Sequence, residues 1–183
     1  MVVNLRTPTL GIAAFSGTGK TTLLRQIIPI LRAKNLRLGL IKHSHHAFEI
    51  DRPGKDSYIL ARAGALQTVI ASARRTAIIT HHKADTEPSL WNLVKRLDAK
   101  GLDLILVEGF KHQPIPKIEL HRPVLGHPLL CLHDSSVIAV ATDAPLGVAI
   151  KLPLLDLNDP LVLTNFIYSE MLKQHLNTTQ TLC

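Results

Sequence analysis

Aromatic residues are scarce in this chain. Phe, Tyr and Trp make up 4% of its 183 residues, with one Trp, two Tyr and four Phe. Proteins that hold single-stranded nucleic acid stack bases on aromatic platforms, so that class has little support and no nucleic acid partner is expected. Cysteine is nearly absent as well: Cys131 and the terminal Cys183 make two. Two cysteines exclude a disulfide framework or a zinc ribbon, and they fit a reducing cytosol. No apolar run approaches the ~18 residues of a membrane span. The first apolar run leads straight into Ser16-Gly17-Thr18-Gly19-Lys20, which is not the order of parts in a signal peptide. The expectation is a cytoplasmic protein without a membrane partner.

Charged residues are limited to 19%, and acids are outnumbered, 14 against 21 Lys and Arg, for a net charge of +7. So low a charge content rules out a self-repelling disordered polymer. The basic excess favours an anionic partner such as a nucleotide, a phosphorylated metabolite or nucleic acid, without choosing among them. What the chain has in quantity is apolar residues, 46% of the total, enough for a sizeable core.

These apolar residues fall into alternating patterns. Continuous short runs at 9–14, 36–42, 102–107 and 137–141 predict buried strands. Between them, helical spacing appears at 20–34 (Leu23, Leu24, Ile27, Ile28, Leu31) and 88–100 (Leu90, Leu93, Val94, Leu97). Pro29 interrupts the first of these helices and is expected to kink it. A helix capped by Asp56 or Ser57 runs to about Ala63, and a final one covers 160–173, with a frayed tail at 174–183. Residues 68–72 and 77–80 predict a hairpin around Arg74 and Arg75, whose charges read as solubilising. Residues 116–121 alternate Ile118 and Leu120 with Lys117, Glu119 and His121, which predicts an edge strand started by Pro116. Strands alternating with helices give an α/β domain with a largely parallel sheet and an added hairpin or edge strand. No repeat or linker divides 1–173, so one domain is expected.

The segment Ala14-Phe15-Ser16-Gly17-Thr18-Gly19-Lys20-Thr21-Thr22 lies between a predicted strand and a predicted helix, the setting a phosphate-binding loop requires. Gly17 and Gly19 allow conformations that turn successive N–H groups toward a phosphate, and the helix N-terminus adds positive potential. Lys20 can reach the terminal phosphates and the Thr21 hydroxyl can join a Mg²⁺ shell. Ala14 replaces the motif's first glycine but is small enough to keep the turn. Phe15 excludes the variant loop that carries a second lysine at that place. The chain is therefore expected to bind a nucleotide through Ser16, Gly17, Thr18, Gly19, Lys20, Thr21 and Thr22.

Glu108 ends the strand LDLILVEG and is the candidate metal-side carboxylate, and a candidate to orient water. Asp103 lies at the far end of the same strand, ~16 Å away at strand rise. Lys42-His43-Ser44-His45-His46 follows the second strand, where ligands gather in open α/β sheets. A transition-metal site there would need a further ligand that no nearby cysteine or helical spacing supplies. The preferred reading is a weakly basic loop in which Lys42 and a histidine contact an anionic partner, beside that of a polar loop with no specific task. Asp51 can reach the Mg²⁺ shell through water. Lys55, Arg62, Lys111 and His112 extend the positive surface. No contiguous guanine signature is present, but Asp143 follows the VIAVA strand where a carboxylate could accept N1–H and the exocyclic amine of guanine. Two readings stay open for it, a base reader and the start of an Asp-Ala-Pro turn.

Together these segments resemble the molybdopterin-guanine dinucleotide biosynthesis protein B family, whose members are GTP-binding proteins of molybdenum cofactor assembly. The resemblance rests on A-x-S-G-T-G-K-T-T at 14–22, G-L-I-K-H-x-H-H at 39–46, P-G-K-D-S-Y at 53–58, L-D-L-I-L-V-E-G-F-K-H at 102–112 and V-I-A-V-A-x-D-x-P-L at 137–146. It implies a P-loop NTPase fold, GTP and Mg²⁺ as ligands, slow hydrolysis and a homodimer. It also implies help to the guanylyltransferase that joins GMP to molybdopterin. On that resemblance Ser16 to Thr22 hold phosphates, Thr21 and Glu108 serve the metal, and Asp143 is a candidate base reader; Lys20 and Glu108 are the candidate catalytic residues, with Asp51 a further metal-side candidate. The loop 42–57 faces the pterin or the transferase. The alternative is a small-molecule kinase or ATP-dependent ligase on the same scaffold. It expects an arginine-rich lid, and no clustered Arg segment of that kind is visible.

Overall fold

A computed structural model describes residues 7–44, 48–82 and 87–172 of the chain. The order of elements is β1 (Thr9–Ala13), α1 (Lys20–Ala33), β2 (Leu38–Lys42), α2 (Asp56–Arg62), β3 (Gln67–Ala71), β4 (Thr76–Thr80), α3 (Leu90–Arg96), β5 (Leu104–Glu108), β6 (Lys117–His121), β7 (Val137–Thr142), β8 (Leu154–Asp156) and α4 (Pro160–Ile167). The chain divides into two compact units, one of Met1–His43 with Ser89–Cys183, the other Ser44–Pro88.

The larger unit is built on a six-stranded sheet of order β2-β5-β1-β6-β7-β8 in which every pairing is parallel. Side chains alternate across a strand, and β5 displays this in full. Leu104 and Leu106 pack with Leu23, Leu24, Ile27 and Leu31 of α1 and with Leu163 and Ile167 of α4. Ile105 and Val107 pack on the opposite face with Leu90 and Val94 of α3, and with Ile41, Phe110 and Ile115. Helices therefore cover both faces, which is why β1 and β5 are buried at every position and apolar except at Thr9 and Glu108. α1 continues through Pro29, which lies on its exposed side. α4 begins at Pro160, with Asp159 as its cap: the carboxylate accepts the N–H groups of Leu161 and Val162. A π-helical stretch, Tyr168–Leu172, follows it.

The strand at 116–121 corrects an expectation. β6 lies inside the sheet, between β1 and β7, and all five of its residues are buried. Its charged side chains, Lys117 and Glu119, are satisfied within the protein instead of facing water. The Lys117 ammonium, 1% exposed, donates to the carbonyls of Lys111 (3.0 Å) and Gln113 (2.7 Å) and pairs with Asp134 at 2.6 Å. The two oxygens of Glu119 accept the N–H groups of Leu130 (2.7 Å) and Cys131 (2.8 Å). Alternation of polar and apolar residues here marks a strand with one polar, internally bonded face. Pro116 stands one residue before the strand, and its carbonyl accepts the Gly11 N–H of β1.

In the smaller unit β3 and β4 form the expected antiparallel hairpin, in register from Gln67↔Thr80 to Ala71↔Thr76. Its turn is closed by Ser72, whose N–H donates to the Arg75 carbonyl and whose hydroxyl accepts the N–H groups of Arg74 and Arg75. Both arginines are exposed. The short β8 was not expected from the sequence. Among the described residues no helix is long and apolar enough to cross a membrane.

Asp134 is the partner that makes burial of Lys117 tolerable. Burial alone would raise its carboxyl pKa. Hydrogen bonds from Lys117 and Ser136 more than reverse this and leave it below the usual 3.8. A depressed carboxyl pKa contributes stability that is complete above about pH 5 and is lost as pH falls through the lowered value. Asp134→Ala leaves an uncompensated buried ammonium and is expected to cost about 3 kcal/mol. Lys117→Met leaves only a partly exposed carboxylate and is expected to cost less. Urea unfolding of both variants measures the order, and the Asp134→Ala protein should lose part of the wild type's stability gain between pH 3 and about pH 5.

Candidate functional site

The C-terminal ends of the parallel strands share one edge of the sheet, and the loops that leave them carry the residues singled out above. β1 ends at Ala13, and the chain turns through 14–19 before entering α1 at Lys20. Gly17 and Gly19 adopt φ of 80° and 106°, the left-handed region that favours glycine. Gly19 is the N-cap, no side chain caps the helix, and no acidic residue occupies its first turn. The N–H groups at this end are thus arranged as an anion-binding helix terminus. Thr18 is buried and its hydroxyl donates to the Phe15 carbonyl at 3.0 Å. Thr21 and Thr22 are exposed on the first turn.

Lys20 folds back over its own loop, its ammonium donating to the carbonyls of Ala14 (3.1 Å) and Phe15 (3.0 Å). Burial lowers its pKa; Glu108 opposes that shift, and repulsion from Lys111 and Lys42 adds to it. The four groups therefore act on one another. Glu108, at the tip of β5, is in register with Ile12 of β1 and with Lys42 of β2. Its buried carboxylate pairs with the Lys42 ammonium at 3.1 Å, and its carbonyl accepts the His43 N–H. Gly109 follows at φ 103°, and a Cβ there would meet the Cβ of His43 at 2.8 Å, so only glycine lets the two strand ends approach this closely. Asp103, at the opposite end of β5, is bound to Arg37 at 2.8 Å and takes no part.

Rings line the mouth. Phe15 stacks on His127 with centroids 4.6 Å apart, the Lys111 ammonium lies 5.2 Å from the Phe15 centroid, and His43 stacks on Phe110 at 4.8 Å. His112 is exposed. His45 and His46 lie outside the described residues. Asp51, Lys55 and Arg62 belong to the smaller unit. There Asp51 accepts the Arg52 N–H, Lys55 precedes α2, and the Arg62 guanidinium bonds the Tyr58 hydroxyl at 3.3 Å.

Asp143 follows β7, and one of its oxygens accepts from the Arg122 guanidinium at 2.5 Å. Its other oxygen, Oδ1, is buried and has no hydrogen-bond partner among the described residues. Asp143 also lines a shallow hollow of about 340 Å³ with Thr142, Pro145, Leu155, Asp156 and Asn158. Arg122 is a residue that sequence reasoning missed. It leaves the end of β6, and besides Asp143 it bonds the Thr18 carbonyl through Nε at 3.0 Å. No local signal identifies it, because these partners stand 21 and 104 residues away.

The donor set at the loop suits a small hard cation: a threonine hydroxyl and a carboxylate are oxygen ligands of the Mg²⁺ type. The glycine-bearing loop, Lys20 and an uncapped helix terminus suit the phosphates such an ion accompanies.

Comparison with known proteins agrees with this geometry. Residues 9–143 match the family model described as molybdopterin guanine dinucleotide synthesis protein B. The molybdopterin-guanine dinucleotide biosynthesis adapter protein of Escherichia coli (strain K12) is 51% identical over 169 residues, 92% of this chain and 95% of that one. Its namesake from Haemophilus influenzae is 45% identical over 90% of each chain. The crystal structure of Bacillus subtilis MobB superposes with a TM-score of 0.69 at 26% identity, covering 90% of this chain and 98% of that one. The sheet with helices on both faces is the P-loop NTPase fold of these structures, and the chain belongs to the molybdopterin guanine dinucleotide synthesis protein B family.

Proposed function

We propose that this protein is a GTP-binding adaptor of molybdopterin guanine dinucleotide biosynthesis. In this reading it works in the cytoplasm as a homodimer and assists the guanylyltransferase that attaches GMP to molybdopterin. The observation that carries the nucleotide part is the phosphate loop: Gly17 and Gly19 at positive φ, an uncapped α1, and Lys20 seated against the loop carbonyls beside Glu108. The adaptor part is supported by the relatives' printed names and by coverage of more than nine-tenths of the Escherichia coli protein.

In this reading the N–H groups of 16–22 bind phosphate oxygens and Lys20 neutralises the terminal ones. The Thr21 hydroxyl and Glu108 hold Mg²⁺, with Asp51 as a further candidate through water. The ion supplies charge neutralisation on the phosphates. Glu108 also stands where it can orient water. Hydrolysis is slow because the guanidinium near the loop and one of its lysines are bound to protein acceptors: Arg122 to Thr18 and Asp143, Lys42 to Glu108. Little positive charge is then left free for the transferring phosphoryl group. At the base end, Oδ1 of Asp143 lacks a partner and can accept N1–H of guanine, a donor that adenine lacks.

Calorimetric titration with GTP and with ATP, each with Mg²⁺, tests the reading. A clear preference for GTP is expected, and equal or better binding of ATP would remove guanine from it. Lys20→Ala should abolish nucleotide binding while the circular dichroism spectrum stays that of the wild type; normal GTP binding by this variant would refute the phosphate-loop assignment. Asp143→Asn should lower the GTP-to-ATP affinity ratio by about tenfold, the scale of one hydrogen bond to a charged group. An unchanged ratio removes Asp143 from base reading.

A further inference from the structure

Arg122 stands between the two ends of the candidate nucleotide site. It follows β6, the buried strand next to β1, so its backbone is anchored beside the phosphate loop. Its guanidinium is only partly exposed, at 30% for the side chain. Nε donates to the carbonyl of Thr18 at 3.0 Å and Nη1 to Oδ2 of Asp143 at 2.5 Å. Nη2 lies 3.8 Å from where a Cβ on Gly19 would stand. One planar fork thus touches the centre of the phosphate loop and the carboxylate at the end of β7. A guanidinium presents donors in a fixed geometry that an ammonium cannot copy.

The bond to Thr18 has a directional consequence. A phosphate loop works when its N–H groups converge on the anion, which requires its carbonyls to point elsewhere. The Thr18 carbonyl lies between the two positive-φ glycines, where the backbone is least restrained. Arg122 occupies that carbonyl with a hydrogen bond, so it is not free to turn toward an anion, and burial of the Thr18 side chain with its bond to Phe15 fixes the same residue further. Asp143 in turn holds Arg122. Its two oxygens are inequivalent: Oδ2 is bonded to the guanidinium, and Oδ1 is buried without a partner among the described residues.

We propose that Arg122 is a positioning residue for the phosphate loop, and that Asp143 acts on the loop through Arg122 with one oxygen while its other oxygen remains for the base. The inference rests on the nucleotide-binding reading above and deepens it: the base end and the phosphate end share one hydrogen-bonded unit, Asp143–Arg122–Thr18. Asp143 then affects ligands that have no base at all, which a base reader alone would not do.

The test uses the full-length protein and inorganic triphosphate with Mg²⁺, a probe that carries the phosphates and no base, alongside GTP. Arg122→Met is expected to weaken triphosphate about tenfold, the scale of one lost charge-assisted hydrogen bond. Asp143→Ala should weaken it by a similar factor. Asp143→Asn, which keeps an oxygen for Arg122 but loses the ion pair, should weaken triphosphate clearly less than Asp143→Ala does. The double variant Arg122→Met/Asp143→Ala should bind no worse than either single one, because both remove the same unit. Arg122→Lys keeps the charge and loses the fork, so it should resemble Arg122→Met. Restored affinity in the lysine variant would mean that Arg122 acts as a plain charge on the phosphates and would overturn the proposal. Unchanged triphosphate affinity in Asp143→Ala would overturn it too, while a changed GTP-to-ATP ratio in the same variant would leave base reading intact. Should Arg122→Met fail to fold, the comparison of Asp143→Asn with Asp143→Ala decides alone. A wild-type protein that binds neither GTP nor triphosphate would sink the nucleotide reading and this inference with it.

Discussion

The site depends on the parallel register of four strands. β1 pairs with β5 so that Ile12 stands opposite Glu108, and with β6 so that Ala13 stands opposite Glu119. β6 pairs with β7 so that His121 stands opposite Thr142. Because all pairings run the same way, the residues that follow these strands emerge at one edge: the phosphate loop after β1, Glu108 at the end of β5, Arg122 after β6 and Asp143 after β7. A one-residue slip would turn each side chain to the opposite face. It is resisted by helices on both faces, each of which buries its own alternate set of β5 residues. The bulge between Lys117 and Ile118 in the β6–β7 ladder lies at the start of β6, away from this edge.

Register brings charges together that the chain keeps apart. Lys20, Lys42, Lys111 and Arg122 surround the loop, with Glu108 and Asp143 among them. The lowered pKa of Lys20, caused by burial and by two neighbouring lysines against Glu108, expresses that imbalance. An arriving anion meets an excess of positive charge in a partly desolvated place, where electrostatic interactions are stronger than in water. The net charge of +7 adds long-range attraction, but the local arrangement decides where the anion rests.

Much of this was legible in the sequence, for a physical reason. The phosphate loop is a contiguous motif whose function uses backbone conformation and one helix end, so neighbouring residues suffice to reveal it. Glu108 was legible because a fully buried parallel strand reads as an apolar run and its tip as the first charge after it. Asp143 was marked in the same way, as a carboxylate just past the VIAVA strand. β6 was misplaced because polar–apolar alternation has two causes. A strand with one face in water shows it, and so does a strand whose polar face is bonded internally. Only the positions of Asp134 and of the Leu130 and Cys131 N–H groups distinguish them, and these come from a later loop. β8 has three residues, too few for any period to declare itself. Arg122 carries no local signal in the sequence, since its acceptors are a backbone carbonyl far upstream and a carboxylate after another strand.

The same hydrogen bonds bear on what the site can do with a bound nucleotide. Rapid phosphoryl transfer needs cations free to follow charge as it moves onto the transferring group. Here three of the donors near the loop already have protein acceptors: Arg122 has Thr18 and Asp143, Lys42 has Glu108, and Lys20 has the carbonyls of Ala14 and Phe15, while the Lys111 ammonium lies over the Phe15 ring. Only Lys20 belongs to the loop itself and exchanges backbone carbonyls for phosphate oxygens without breaking an ion pair. Drawing Arg122 onto the phosphates would leave Asp143 unpaired, and that carboxylate is largely buried, where an unpaired charge is costly. The arrangement thus favours holding a phosphorylated ligand over turning it over.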